Sequence, residues 1–131
     1  MENSYPPFSF TGITTKAKVV KVYDGDTIKV VFNPFPKDPN SKEWKFRIRF
    51  LGCDTNELKP KKSDYPNEKE RQEIIKLAKI AKDDLDSKIM GKEVTIECSD
   101  FDAFGRILCN VFIDDLCINE YMKKHNKNLN K

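Results

Sequence analysis

Two short runs near the start of the chain set the first expectation. Thr14 to Tyr23 (TTKAKVVKVY) is rich in β-branched residues, and in Thr27 to Phe32 (TIKVVF) the apolar residues Ile28, Val30 and Phe32 fall on every second position. The Asp24-Gly25 turn dipeptide lies between them, so the pattern predicts a β-hairpin. Residues 33–43 (NPFPKDPNSKE) hold three prolines and no periodicity, and read as a loop. Trp44 to Leu51 (WKFRIRFL) alternates again, with Phe46, Ile48 and Phe50 on one face and Arg47, Arg49 and Leu51 on the other. Gly52 breaks this strand, and a polar connection, CDTNELKPKKSDYPN, follows.

The period then changes. Pro66-Asn67 opens a helix, in which Ile74, Leu77, Ala78, Ala81, Leu85 and Ile89 recur three and four residues apart as one apolar stripe. Gly91 is the expected stop. Val94 to Cys98 (VTIEC) reads as a strand, Ser99 to Gly105 (SDFDAFG) as a turn-rich connection, and Arg106 to Ile113 (RILCNVFI) as a further strand. Asp114-Asp115 turns the chain into a short helix over Cys117 to Lys124, with Ile118, Tyr121 and Met122 inward.

The element order β-β-β-α-β-β-α predicts an α+β fold. Its centre is a five-stranded Greek-key β-barrel of the OB type, with a long helix between strands 3 and 4 and a short helix after strand 5. A chain of 131 residues accommodates one such domain. Residues 13–124 are assigned to it. Residues 1–12 form a lead-in that lies on the surface or docks one aromatic, and residues 125–131 form a polar, basic tail.

Composition narrows the function classes. Lys and Arg number 24 against 21 Asp and Glu, and the net charge of +3 permits a polyanionic partner without demanding one. No apolar run reaches the ~18 residues of a membrane span, and the first residues do not resemble a secretory leader. The expectation is a cytoplasmic monomer with no membrane partner. Cys53, Cys98, Cys109 and Cys117 form no Cys-x-x-Cys pair, and His125 lies in the polar tail. This argues against zinc and for reduced, mostly buried thiols.

Three clusters carry candidate chemistry: Asp24-Gly25-Asp26-Thr27, then Arg49 with Asp54, Thr55 and Glu57, then Asp102 to Arg106 (DAFGR). A guanidinium such as that of Arg49 needs an anion if it is even partly buried. Asp54, Glu57 and a phosphate are its candidates. Carboxylates, a threonine and backbone carbonyls are hard oxygen ligands of the kind calcium and magnesium take. A carboxylate near water serves as a general base, and arginines hold phosphate and stabilise charge that develops on it. Each cluster also has a plain structural reading. Asp24 and Asp26 suit a tight turn, Arg49 suits an ion pair with Glu57, and Arg106 suits a strand-edge charge.

VYDGDTIKV, RFLGCDTNE and FGRILCNVFIDDLCINEYM, in that order, resemble the three blocks of the staphylococcal nuclease (thermonuclease-like) family over roughly residues 14–122. The resemblance implies hydrolysis of DNA and RNA phosphodiesters with little sequence preference, and calcium as the metal. It implies that Asp26, Asp54 and the Thr55 carbonyl bind the metal, with Asp24 a supporting acidic position. Glu57 activates or orients the attacking water, and Arg49 and Arg106 grip the scissile phosphate.

The chain departs from the family pattern in four places. Asn56 replaces a usual proline, and Phe104 replaces a tyrosine that contacts the nucleotide phosphate. The loop at residues 33–43 is longer than in the bacterial prototype. The sequence stops soon after INEYM and so reads as a short form, without the final helix and its two base-stacking tyrosines. The competing expectation is a catalytically silent module that binds nucleic acid or protein. Such a module has no reason to keep Asp26, Asp54 and Glu57 together with Arg49 and Arg106.

Overall fold

The computed structural model describes residues 4–53 and 67–126. Its elements are β1 (Thr14–Asp24), β2 (Thr27–Phe32), β3 (Trp44–Phe50), α1 (Glu68–Ile89), β4 (Glu93–Phe101), β5 (Ile107–Ile113), β6 (Leu116–Cys117) and α2 (Ile118–His125). The sheet order is β3-β2-β1-β4-β5-β6, and a parallel pairing of β3 with β5 closes the first five strands into a mixed barrel. Two helices complete the predicted OB-type fold. β6 is a two-residue addition paired with Phe112 and Ile113, where the helix was expected to begin.

Alternation decides which side chains fill the barrel. Ile28, Val30, Ile48 and Phe50 point inward from β2 and β3, and Ile96, Ile107 and Val111 meet them from β4 and β5. Burying each such side chain is worth about 1.5–3 kcal/mol, so the inward face of every strand is held in register. β1 is long enough to pair with β2 on one edge and β4 on the other. Irregularities between Val19 and Lys21 and between Val22 and Asp24 let it bend around the barrel.

The helix stripe behaves as read: Ala78, Ala81, Leu85 and Ile89 are buried, and Leu77 packs at the edge of the core. The start differs in detail. Asn67 is the cap, its side chain accepting from the amides of Lys69 and Glu70 at 2.9 and 3.4 Å. Tyr121 and Asn126 of the α2 segment both donate to the Asp84 carboxylate, at 2.9 and 3.0 Å, and fasten α2 to α1.

The lead-in docks Phe10, which is buried among Phe32, Phe46 and Phe101 with ring centroids 5.6–6.2 Å apart. All four cysteines are free thiols; Cys53, Cys98 and Cys109 are buried. β4 runs on through Ser99 to Phe101, so the connection to β5 is tighter than the sequence suggests. Among the described residues no helix is long and apolar enough to cross a membrane.

Candidate active site

The β1–β2 hairpin supplies the acidic side of the site. Asp24 pairs with Thr27 at the end of the ladder, which makes Gly25 and Asp26 the central turn residues rather than Asp24 and Gly25. Asp24 Oδ1 accepts the Asp26 amide at 3.2 Å, and Asp26 Oδ1 accepts the Thr27 hydroxyl at 2.9 Å. Both are local bonds of the sort that make Asp favourable in turns. Asp26 is nevertheless buried, and a buried carboxylate needs a cation.

Arg49 supplies one. Thr27 of β2 lies opposite Arg49 of β3, and this register brings Arg49 Nη2 to 3.2 Å from Asp26 Oδ2. The same nitrogen donates to the Cys53 carbonyl at 3.2 Å. The Asp26 carbonyl also accepts the Phe50 amide at 2.8 Å, which ties the hairpin tip to the end of β3. The guanidinium therefore spans the hairpin and the turn that leaves β3.

Electrostatics separates the two aspartates of the hairpin. Asp24 is pushed up to about 7, first by burial and then by its hydrogen bond with, and the charge of, Asp26. Two carboxylates this close cannot both ionise without cost.

Arg106 comes from the β4–β5 connection, just before β5. Asp102 Oδ1 accepts the amides of Phe104 and Arg106, both at 2.9 Å, and Asp102 Oδ2 accepts Arg106 Nε at 2.7 Å. Gly105, with φ of +81°, permits this fold of the turn. Burial raises the Asp102 carboxyl, but bonds from the two amides and the guanidinium outweigh it and hold it below its ordinary value. The Phe104 ring is exposed and lies 5.3 Å from the Arg106 guanidinium carbon. That contact is a cation–π interaction.

The two arginines converge. Arg49 and Arg106 line one open cleft of about 340 Å³, together with Gly52, Cys53, Asp102 and Leu108. The parallel pairing of β3 with β5, with Arg49 opposite Leu108, creates this juxtaposition. Asp54, Thr55 and Glu57 lie outside the described residues.

Two further residues support the cleft, one read only as part of a cluster and one that sequence reasoning missed. Asp102, the first, fixes Arg106. Asn119, buried at the start of α2, accepts the Val111 amide at 2.8 Å and donates to the Leu51 and Cys109 carbonyls at 2.9 and 3.0 Å. It pins the turn after β3 to β5. The signal was a lone amide among the inward residues of INEYM, legible only once the helix phase is known.

Among the described residues no three potential ligands gather into a metal cluster. The hairpin still fits a hard divalent cation. Its donors are carboxylate and hydroxyl oxygens, and the crowding that raises Asp24 is what a cation would relieve.

A family profile described as staphylococcal nuclease homologue matches residues 47–130, more than half of the chain. The matched span includes Arg49, Asp54, Thr55, Glu57 and Arg106, while Asp26 precedes it and reaches Arg49 through the β2–β3 register. No curated relative matches the chain. Members of the matched family are in general nuclease hydrolases, which makes nucleic acid the implied substrate class. On the profile match and the closed barrel that carries it, the chain belongs to the staphylococcal nuclease homologue family.

Proposed function

We propose that the protein is a calcium-dependent nuclease that hydrolyses phosphodiester bonds of DNA and/or RNA with little sequence preference. The observation that carries this reading is the convergence of Arg49 and Arg106 on one cleft, with Asp26 in contact with Arg49. In this reading Asp26, Asp54 and the Thr55 carbonyl hold calcium, which when bound supplies positive charge against the scissile phosphate.

The chain's own groups do the rest. Arg106 commits its Nε to Asp102, so its two terminal nitrogens are the ones turned to the phosphate. Arg49, braced by Asp26 and the Cys53 carbonyl, meets the phosphate from β3. Two guanidiniums held in place before substrate arrives stabilise charge that builds during displacement without reorganising. Glu57 takes the proton of the attacking water.

The test is cleavage of single-stranded DNA and of RNA, in calcium and in chelator, by the parent and by Glu57→Gln. The parent cuts only in calcium, and the variant loses about 10²–10⁴-fold in turnover. A folded parent that cuts nothing in calcium, magnesium or manganese would establish the silent binding module instead. A variant as fast as the parent would remove Glu57 from its role.

A further inference from the structure

The outer face of β1, β2 and β3 carries cations in rows. Cross-strand pairing sets Lys21 opposite Lys29, and Lys29 opposite Arg47. The next row places Lys18 and Lys45 on either side of Val31. The row on the other side is Asp24, Thr27 and Arg49, which belongs to the candidate active site. The basic rows and the site row are therefore consecutive on one sheet surface.

Like charges directly opposite one another destabilise a sheet. Here three stand side by side, and no carboxylate among the described residues forms an ion pair with Lys21, Lys29, Lys45 or Arg47. Glu93, opposite Lys18, is engaged by Lys16 at 3.8 Å. Tyr23 gathers the charge further: the ammonium groups of Lys21 and Lys29 lie 4.7 and 5.6 Å from its ring centroid. Tyr23, Lys29, Lys45, Phe46, Arg47 and Gly105 line an open groove of about 520 Å³. Gly105 precedes Arg106 of the cleft, and Arg47 Nη2 reaches the Phe104 carbonyl at 3.5 Å, so groove and cleft adjoin.

We propose that this face is an accessory binding track for single-stranded nucleic acid, which carries the strand beyond the cleavage cleft. The proposal extends the nuclease reading in its continuity with the cleft, but its binding chemistry stands apart from catalysis. Along β3 the cations Arg49, Arg47 and Lys45 recur every second residue, about 6.6 Å apart, a step that an extended sugar–phosphate chain can follow. Tyr23 gives the groove an aromatic wall for a base, which suits a strand whose bases are unpaired.

The test measures binding in chelator, where no calcium-dependent cleavage intervenes. The anisotropy of a labelled oligo(dT) of about 20 nucleotides is titrated over a range of salt, since each cation that meets phosphate adds about 0.7 to the slope of log K against log salt. The triple variant Lys21→Gln/Lys29→Gln/Arg47→Gln lowers that slope by about 2, and each single substitution lowers it by about 0.7. The control is Lys69→Gln/Lys76→Gln/Lys79→Gln, which makes the same charge change on exposed positions of α1 and leaves the slope unchanged.

Equal losses in both triples would reduce the effect to net charge and overturn the proposal, as would no loss in either. A duplex of equal length that binds more tightly than the strand through the same residues would overturn the single-strand assignment. Face-dependent binding to phosphatidylserine vesicles without face-dependent binding to the oligonucleotide would assign the face to a membrane surface instead. If the parent binds the strand by this face yet cuts nothing in calcium, the nuclease reading fails and the track stands.

Discussion

Two acidic turns in this barrel start alike and end opposite. Asp24 and Asp102 each use Oδ1 to accept the amide two residues on, at 3.2 and 2.9 Å. Asp102 then meets the Arg106 amide and guanidinium, and its carboxyl is held below its ordinary value. Asp24 instead meets Asp26, and burial together with that neighbour pushes it up to about 7. The local turn chemistry is the same, so burial and what stands across from the carboxylate decide. The β4–β5 turn is electrostatically complete and serves to hold an arginine. Among the described residues the β1–β2 turn sets two carboxylates against the one guanidinium of Arg49, a crowding that a bound cation would relieve.

The largest expected effects separate these two jobs. Arg106→Ala removes a guanidinium from the cleft and lowers kcat by about 10²–10³-fold, while the rise in unfolding temperature on adding calcium persists. Asp26→Ala does the reverse to the metal response. Calcium at about 100 times its Kd stabilises a folded protein by about 2.7 kcal/mol, and this increment disappears in the variant. Unfolding curves with calcium and with chelator decide it. If Asp102→Ala abolished the calcium increment as fully as Asp26→Ala, the division of labour between the turns would collapse.

Asn119 bears on both turns, because its side chain joins the end of β3, which leads from the hairpin, to β5, which follows the Arg106 turn. Asn119→Ala leaves the buried Val111 amide and the Leu51 carbonyl without this partner, at a cost of about 1–3 kcal/mol. Turnover by the folded variant falls as well, since the chain passes from Leu51 directly toward Asp54 and Glu57. Urea unfolding gives the first number, and single-turnover cleavage at saturating substrate gives the second. A variant as stable as the parent would show that water replaces the amide without loss.

Free of metal, the hairpin carries a pH signature. Between about 4 and 7 the folded state keeps a proton on Asp24 that the unfolded chain has already released. The raised group therefore costs stability as pH climbs through that window, and the loss is complete above it. For a half-buried group still screened by solvent the loss is of the order of 2 kcal/mol. Urea unfolding at pH 4.5 and 7.5 in chelator, in the parent and in Asp24→Asn, isolates it. Identical pH dependence in the two proteins would mean that neither burial nor Asp26 raises the Asp24 carboxyl.

The hairpin, the alternation of β3 and the stripe of α1 were legible because each is a local period: Ile48 and Phe50, or Ala81 and Leu85, repeat at the spacing their element imposes. The arginines and the hairpin aspartates were legible as residue types at motif positions. The pairing of Arg49 with Asp26 was not. Sequence proximity offered Asp54 and Glu57, which lie outside the described residues. The β2–β3 register, a non-local fact, delivered Asp26. Asp102 was legible as part of a cluster, but its grip on Arg106 depends on a turn geometry that only Gly105 in a left-handed conformation permits. Phe10 fills the core from a segment without any period, so only the reading that one aromatic of the lead-in docks could anticipate it.

The smallest expected effect tests the completed turn. Asp102→Asn keeps the size and most of the local bonds of the side chain but removes the charge opposite the Arg106 guanidinium. A part-exposed pair of this kind contributes about 1 kcal/mol. Its pH dependence has the opposite sign to that of Asp24. A carboxyl held below its ordinary value stabilises the fold above the pKa of the unfolded chain, and the contribution is lost as pH falls through the folded value. Parent and variant therefore differ in stability at pH 7 and converge in acid, whereas parent and Asp24→Asn converge in acid only because both are then protonated or neutral at that position, with the variant the more stable at pH 7. Opposite signs at neutral pH from two conservative substitutions would show that one turn is satisfied by its own loop and the other is not. The same sign from both would mean that the surrounding sheet, and not the partner across the turn, sets the state of each carboxylate.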